Sequence, residues 1–278
     1  MPGTQDISRA TLAVTSLASG SSGNALLVRS RNAAILVDCG VPLRTIERAL
    51  MRSGLSPDQL SAILITHEHG DHTMSAGPLA RRYGVPLIAN QATLAAMEHD
   101  LTGATVRELA TGAATMIADI HVGSFPVSHD AAEPVGYTMS VDGWCVGIAT
   151  DLGRWDDVVV NGLTPADLVV IEANHDQERL WRAPYAGVVK QRIYSPTGHL
   201  DNVAAGRLLA RLGTDGRRRS AWLAHLSQEA NSPQIAEQVV RGVLALAGVR
   251  CVSVTALPRR TPLHWSSDMH GEQLALFD

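Results

Sequence analysis

The chain has 278 residues, 45% of them hydrophobic, with 23 basic and 27 acidic side chains and a formal net charge of −4. That length suits one large domain or two small ones around a substantial core, and the net charge is not that of a high-affinity nucleic-acid binder, whose affinity rests on phosphate contacts. Cys39, Cys145 and Cys251 lie far apart without CxxC spacing, which speaks against a disulfide framework or a structural zinc site and for a reducing cytoplasm.

Residues 1–18 show no basic segment followed by an uninterrupted apolar stretch, and no run approaches a membrane span of about 18 apolar residues. Neither export nor membrane insertion is expected. In chain order, 12–17, 25–29 and 34–38 read as short strands, with the link Ser19-Gly20-Ser21-Ser22-Gly23-Asn24 turning between the first two. Pro42 stands where a helix begins, and Leu43, Ile46, Ala49 and Leu50 keep helical spacing until Gly54. The apolar run Ala62-Ile63-Leu64-Ile65 then hands over to Thr66-His67-Glu68-His69-Gly70-Asp71-His72, which sets three imidazoles and two carboxylates within six positions. A buried strand that stops at a loop is where functional side chains converge. His67 and His69, two apart on extended chain, project the same way and suit one metal. Gly70 lets the chain turn, so that Asp71 and His72 address a second.

Helices are expected at 75–83 and 91–100 around a short strand at 86–89, and strands at 122–128, 135–141 and 144–150. The second half continues with a strand at 168–171 running into Glu172, helices around 185–194 and over 202–212 with Asp201 as N-cap, a helix at 233–247 and a strand at 251–256. From Pro258 onward periodic apolar positions give way to Pro, Ser, His and charges. A single domain over 1–257 and a mobile tail over 258–278 are therefore expected.

The run 122–128 ends in His129, the run 146–150 in Asp151, and Trp222-Leu223-Ala224 in His225, as Ile65-Thr66 delivers His67. Taken singly, each is more simply a core or cap residue. Several strands delivering metal-type ligands to one sheet edge are what a composite metal site in an α/β scaffold requires.

In this order His67-x-His69-x-Asp71-His72, His129, Asp151 and His225 resemble the metallo-β-lactamase fold superfamily, over residues 11–257. The resemblance implies a four-layer αβ/βα sandwich with two divalent ions at one sheet edge. It assigns His67, His69 and His129 to one ion, Asp71, His72 and His225 to the other, and Asp151 to both; Asp38, in Asp38-Cys39-Gly40, braces the ligand loop. A carboxylate at 151, where dizinc β-lactamases tend to carry a thiolate, gives a harder site that admits manganese or iron as well as zinc and argues against antibiotic hydrolysis. Cys39 and Cys145 occupy no ligand position.

The Ser19–Asn24 link, Glu172-Ala173-Asn174-His175-Asp176, Gly198-His199-Leu200-Asp201-Asn202 and His225-Leu226-Ser227-Gln228-Glu229-Ala230-Asn231 narrow the resemblance to the YycJ/WalJ-like family. Its members are regarded as metal-dependent DNA nucleases. Asp201 and Ala230 depart from the Ser and Asn expected there, and the interval from Asp151 to His225 is too short for the cap domain of RNA-processing and crosslink-repair nucleases. The implied reaction is phosphodiester hydrolysis at Asp71 and its fellow ligands. His199 and His175 are candidates for phosphate contact or leaving-group protonation; the simpler reading is loop structure, with His199 preceding a helix cap and His175 bracing the strand end at Glu172. Asn202 and Asn231 divide between the same two readings. Arg81-Arg82, Arg217-Arg218-Arg219 and Arg259-Arg260 offer a basic track for DNA or plain solvated surface.

In the tail, Gln273-Leu274-Ala275-Leu276-Phe277 resembles the short peptide with which bacterial replication and repair proteins dock on the sliding clamp. Leu276 and Phe277 would fill an apolar pocket and Gln273 anchor the backbone, bringing a weak DNA binder to its substrate. The alternative function is a small-molecule thioesterase or lactonase of the same fold, which shares the ligands but favours an apolar pocket. A clamp-associated protein with structural metals is the third.

Overall fold

In the computed structural model, which describes residues 11–268, each half of the chain opens with antiparallel strands and finishes with parallel ones. In the first seven-stranded sheet β1 (Ala13–Ala18), β2 (Ala25–Arg29) and β3 (Ala34–Val37) form the meander, and β4 (Ala62–Leu64), β5 (Leu87–Ala89) and β6 (Val106–Glu108) add in parallel. In the second, β7 (Ala114–Ile117), β8 (Ile120–Pro126), β9 (Val135–Val141) and β10 (Trp144–Ala149) are antiparallel, and β11 (Leu168–Glu172), β12 (Arg219–Ala224) and β13 (Val252–Ala256) follow in parallel.

The sheets pack face to face. Val14, Leu26, Val28, Ile35 and Leu64 of the first meet Val122, Tyr137, Val146, Val170 and Trp222 of the second. The opposite face of the first sheet, with Leu27, Leu36 and Ile63, is covered by α1 (Leu43–Arg52) through Ile46 and Leu50, and by α3 (Ala76–Tyr83) through Leu79. The outer face of the second, with Val169, Ile171 and Leu223, is covered by α6 (Asp157–Leu163), α9 (Asn202–Leu212) and α10 (Pro233–Leu246). Burial on both faces is why β2, β3, β4 and β11 read as continuous apolar runs rather than alternating ones. The expected αβ/βα sandwich is borne out. Among the described residues no helix is long and apolar enough to cross a membrane.

Several elements depart from the expectation, among them the helices α6 and α7 (Gln177–Arg182), which stand where none was expected. The helix expected at 91–100 is two, α4 (Gln91–Ala96) and α5 (Glu98–Leu101), separated at Met97, where the backbone leaves helical geometry. The exposed edge strand β6 and partly exposed β7 carry too little apolar alternation to announce themselves. The stretch after Pro258 is not all tail: β14 (Leu263–Ser266) pairs with β1, and Trp265 is buried against the inter-sheet core beside Trp144. A four-residue strand with two inward positions gives too short a period to stand out from its polar flanks.

Candidate metal centre

The site forms where strand C-termini from both sheets meet. β4 ends two residues before Thr66, and the chain turns through His67 and His69 into α2 (Gly70–Thr73), which carries Asp71 and His72. Asp38 follows β3, Asp151 follows β10, and His225 follows β12. These three adopt left-handed backbone, with φ of 61°, 53° and 54°. That conformation costs a non-glycine residue about 1–2 kcal/mol, and its occurrence at these strand ends marks the site as the place where local preference yields to positioning. Gly40 is needed for the same approach: a Cβ there would overlap the Asp71 backbone carbonyl.

The candidate ligand atoms converge. His67, His69 and His129 form one group within 4.8 Å of one another, Asp71, His72 and His225 a second, and Asp151 joins His67 and His72 in a third. Asp151 sits centrally, with Oδ2 2.8 Å from His72 Nε2 and Oδ1 3.3 Å from His225 Nδ1 and 3.8 Å from His129 Nε2. Oδ2 is out of hydrogen-bonding alignment and, like His67 Nε2, is a buried atom without a hydrogen-bond partner.

Three imidazoles are tied back at the far edge of the ring. His72 Nδ1 lies 2.7 Å from Asp38 Oδ2, His225 Nδ1 2.7 Å from Glu172 Oε1, and His129 Nδ1 3.0 Å from the Gly198 carbonyl. Those oxygens only accept, so each Nδ1 donates and each Nε2 is turned to the centre, as metal-ligating histidines require. His67 follows the same plan, with Nδ1 3.0 Å from Thr66 Oγ1. Thr66 is itself fixed by Asp38, which accepts from its backbone N–H at 2.9 Å. The donor set fits divalent cations.

Charge follows from these contacts. Burial holds the His67 and His129 pKa values below the ordinary range, leaving neutral rings suited to coordination. Burial also opposes charge on His225, but Asp151, Asp71 and Glu172 overcome it and raise its pKa to about 10. His72 is likewise raised against burial by Asp151 and Asp38, while His225 and His72 hold the Asp151 carboxyl well below its usual range. The pocket favours positive charge at the point where the ligand atoms meet.

Glu172, which the sequence placed in a motif and at a strand end without a role of its own, stands among the candidate site residues. Fully buried, it accepts from His225 Nδ1 and, at 2.8 Å, from His199 Nδ1, while Oε2 accepts from the Leu152 and Leu200 backbones. Those histidines hold its carboxyl at about 2 against the cost of burial. Its signal was available: a lone carboxylate closing the apolar strand Leu168-Val169-Val170-Ile171. His199 therefore joins Asp151, Glu172 and His225 at the centre, whereas His175 lies outside these ligand groups and lines a cleft beside His199.

Several of the other candidates have partners within the fold. Asn202 and Asn231 hydrogen-bond each other in the interior. Cys39 and Cys145 are buried free thiols outside the ligand groups. Arg219 is no part of a surface track: its buried guanidinium pairs with Asp215, at the opposite end of β12 from His225. Arg217 pairs with Asp167, Arg82 with Glu47, and Arg259 reaches Gln228 and the Leu226 carbonyl. Gln273, Leu274, Leu276 and Phe277 lie outside the described residues.

A double-sheet sandwich with histidine and aspartate side chains gathered at its strand ends defines a metallo-β-lactamase fold, and the chain belongs to that superfamily: residues 33–226 match the family described as Beta-lactamase superfamily domain. Within it, the chain falls with the YycJ/WalJ proteins. It is 37% identical over 235 residues to Exodeoxyribonuclease YycJ of Bacillus anthracis, covering 84% of this chain and 89% of that protein. It is 39% identical over 239 residues to Exodeoxyribonuclease WalJ of Streptococcus pneumoniae serotype 2, covering 83% and 87%. Among solved structures, the metallo-beta-lactamase fold protein YhfI from Bacillus subtilis aligns with a TM-score of 0.66 at 17% identity, over 92% of this chain and 100% of that one, a likeness of fold alone.

Proposed function

We propose that this chain is a dinuclear metal-dependent phosphodiesterase that hydrolyses DNA. The observation that carries the reading is the set of imidazole edges turned inward around Asp151, in a chain 37% and 39% identical to exodeoxyribonucleases. His67, His69 and His129 would hold one cation and Asp71, His72 and His225 the other, with Asp151 shared; imidazole and carboxylate donors suit zinc, manganese and iron. Cations held there would supply a water of lowered pKa and neutralise charge on phosphate oxygens.

The chain's own groups do the positioning. Glu172 fixes the His225 and His199 rings through one oxygen. Asp71, bound to His225 Nε2 at 3.2 Å, is the partly exposed carboxylate at the mouth, placed to accept a hydrogen bond from an attacking water. Burial opposes charge on His199, but Glu172 raises its pKa, and its Nε2 makes no hydrogen bond among the described residues. It is the group able to give a proton to the leaving oxygen.

The test is hydrolysis of end-labelled single- and double-stranded DNA by metal-stripped protein reloaded with Mn²⁺ or Zn²⁺, with an Asp71→Ala/His72→Ala double variant as the blank. Metal-dependent cleavage lost in the variant supports the reading, and the product ladder gives polarity. No cleavage with either metal, alongside turnover of a thioester or lactone panel, overturns it in favour of a small-molecule hydrolase.

A role in replication or repair in the cytoplasm belongs to the same reading. It draws on three free cysteines and on the clamp-like peptide at Gln273, Leu274, Leu276 and Phe277. A synthetic 269–278 peptide should bind purified sliding clamp saturably, and a Leu276→Ala/Phe277→Ala peptide should not. Equal binding by the two removes the clamp from the reading.

A further inference from the structure

Beside the metal centre lies a cleft of about 280 Å³ whose lining includes Arg154, His175, Tyr194, Ser195, His199 and Asp201. His199 belongs to both places, its Nδ1 3.4 Å from Asp151 Oδ1 while its ring lines the cleft. Anything bound in the cleft is therefore next to the reacting centre.

His175 is the anomaly. It is 1% exposed, and neither ring nitrogen has a hydrogen-bond partner. Two unsatisfied poles on one buried imidazole are unfavourable unless a ligand meets them. Burial keeps its pKa below the ordinary value, so at neutral pH one nitrogen donates and the other accepts. A neutral donor and acceptor suit a sugar hydroxyl or a base edge. Asp201, which caps α9 from the same wall, disfavours an anion at that depth.

The rim has the opposite character. Arg154 is exposed and forms no ion pair among the described residues. Tyr194 is 51% exposed, and its ring lies 5.7 Å from that of Trp181, 50% exposed. Tyr194 closes α8 (Gly187–Tyr194), which buries none of its residues, and Trp181 stands on α7 (Gln177–Arg182). Exposed aromatic faces next to an unpaired arginine are the chemistry that stacks a base and meets a phosphate.

We infer that the cleft is a nucleoside subsite: it takes the base and sugar next to the scissile phosphate, with His175 as a positioning residue, Tyr194 as stacking face and Arg154 at the neighbouring phosphate. The substrate class rests on the phosphodiesterase reading; the subsite itself is tested by binding. Full-length wild type, His175→Ala and Tyr194→Ala are titrated at equilibrium with deoxyadenosine 5′-monophosphate and, separately, with inorganic phosphate. Wild type should bind the mononucleotide saturably, each variant about tenfold more weakly, with phosphate binding unchanged. Tyr194 is half exposed, so its variant reads the subsite even where the buried His175 change disturbs packing. No saturable mononucleotide binding by wild type, less than about a twofold change in both variants, or a parallel loss of phosphate binding overturns the inference. DNA hydrolysis is scored separately: cleavage without a variant effect on mononucleotide binding refutes the subsite and leaves the nuclease, and the reverse result keeps the subsite and removes the nuclease.

Discussion

Replacing Glu172 by Gln removes one charge and almost no volume, yet the structure leaves the amide no good orientation. Oε1 accepts from His225 and His199, and Oε2 from the backbone N–H groups of Leu152 and Leu200, so both oxygens face donors. With its NH₂ toward the backbone the amide confronts two N–H donors; with its NH₂ toward the rings it obliges each Nδ1 to accept and sends the proton to Nε2. Giving up the carboxylate's charge-assisted hydrogen bonds costs about 1.5–3 kcal/mol, so Glu172→Gln should destabilise the fold by about that amount. His225 loses the partner that turns its Nε2 inward, and metal affinity should fall about 10–100-fold. Urea unfolding of the metal-stripped protein reads the first effect, and competitive titration with a chromogenic chelator the second. A variant with wild-type urea midpoint and Zn²⁺ affinity would show that Glu172 orients nothing.

Gly40→Ala should displace α2 and with it Asp71 and His72, because the added methyl overlaps the Asp71 carbonyl; chelator titration should show loss of about one cation per chain with the other retained. Trp265→Ala should lower stability by about 3 kcal/mol, as expected for a buried aromatic, whereas a tail residue would give no measurable change in the urea midpoint. The pH dependence of stability should carry a component from Asp215, whose carboxyl the Arg219 guanidinium holds at about 2. That value lies below the about 3.9 of an unfolded aspartate, so the carboxylate stabilises fully above the unfolded value and its contribution is lost as pH falls through the folded one. Asp215→Asn should therefore show a shallower loss of stability than wild type across that acid window in urea titrations at stepped pH.

The histidines and aspartates gathered at the centre were readable from the chain, Glu172 apart, and so was the order His67, His69, Asp71, His72, His129, Asp151, His225. Strands buried on both faces must be written as apolar runs, so the first polar residue after each run marks where it leaves the core. What the runs could not disclose is how each ring is held. His129 leans on the Gly198 carbonyl, His225 on Glu172 and Asp71, and His72 on Asp38, pairs that lie 34 to 154 positions apart in the chain. The left-handed turns at Asp38, Asp151 and His225 were equally silent, since only the packed sheets compensate for that strain. Local sequence determined which side chains arrive at the strand ends, because burial and periodicity act over a few residues. Tertiary structure alone decided that Arg219 is buried, that Trp265 closes a sheet edge and that His175 stands unpartnered in a cleft, because each depends on contacts that exist only once distant segments have packed.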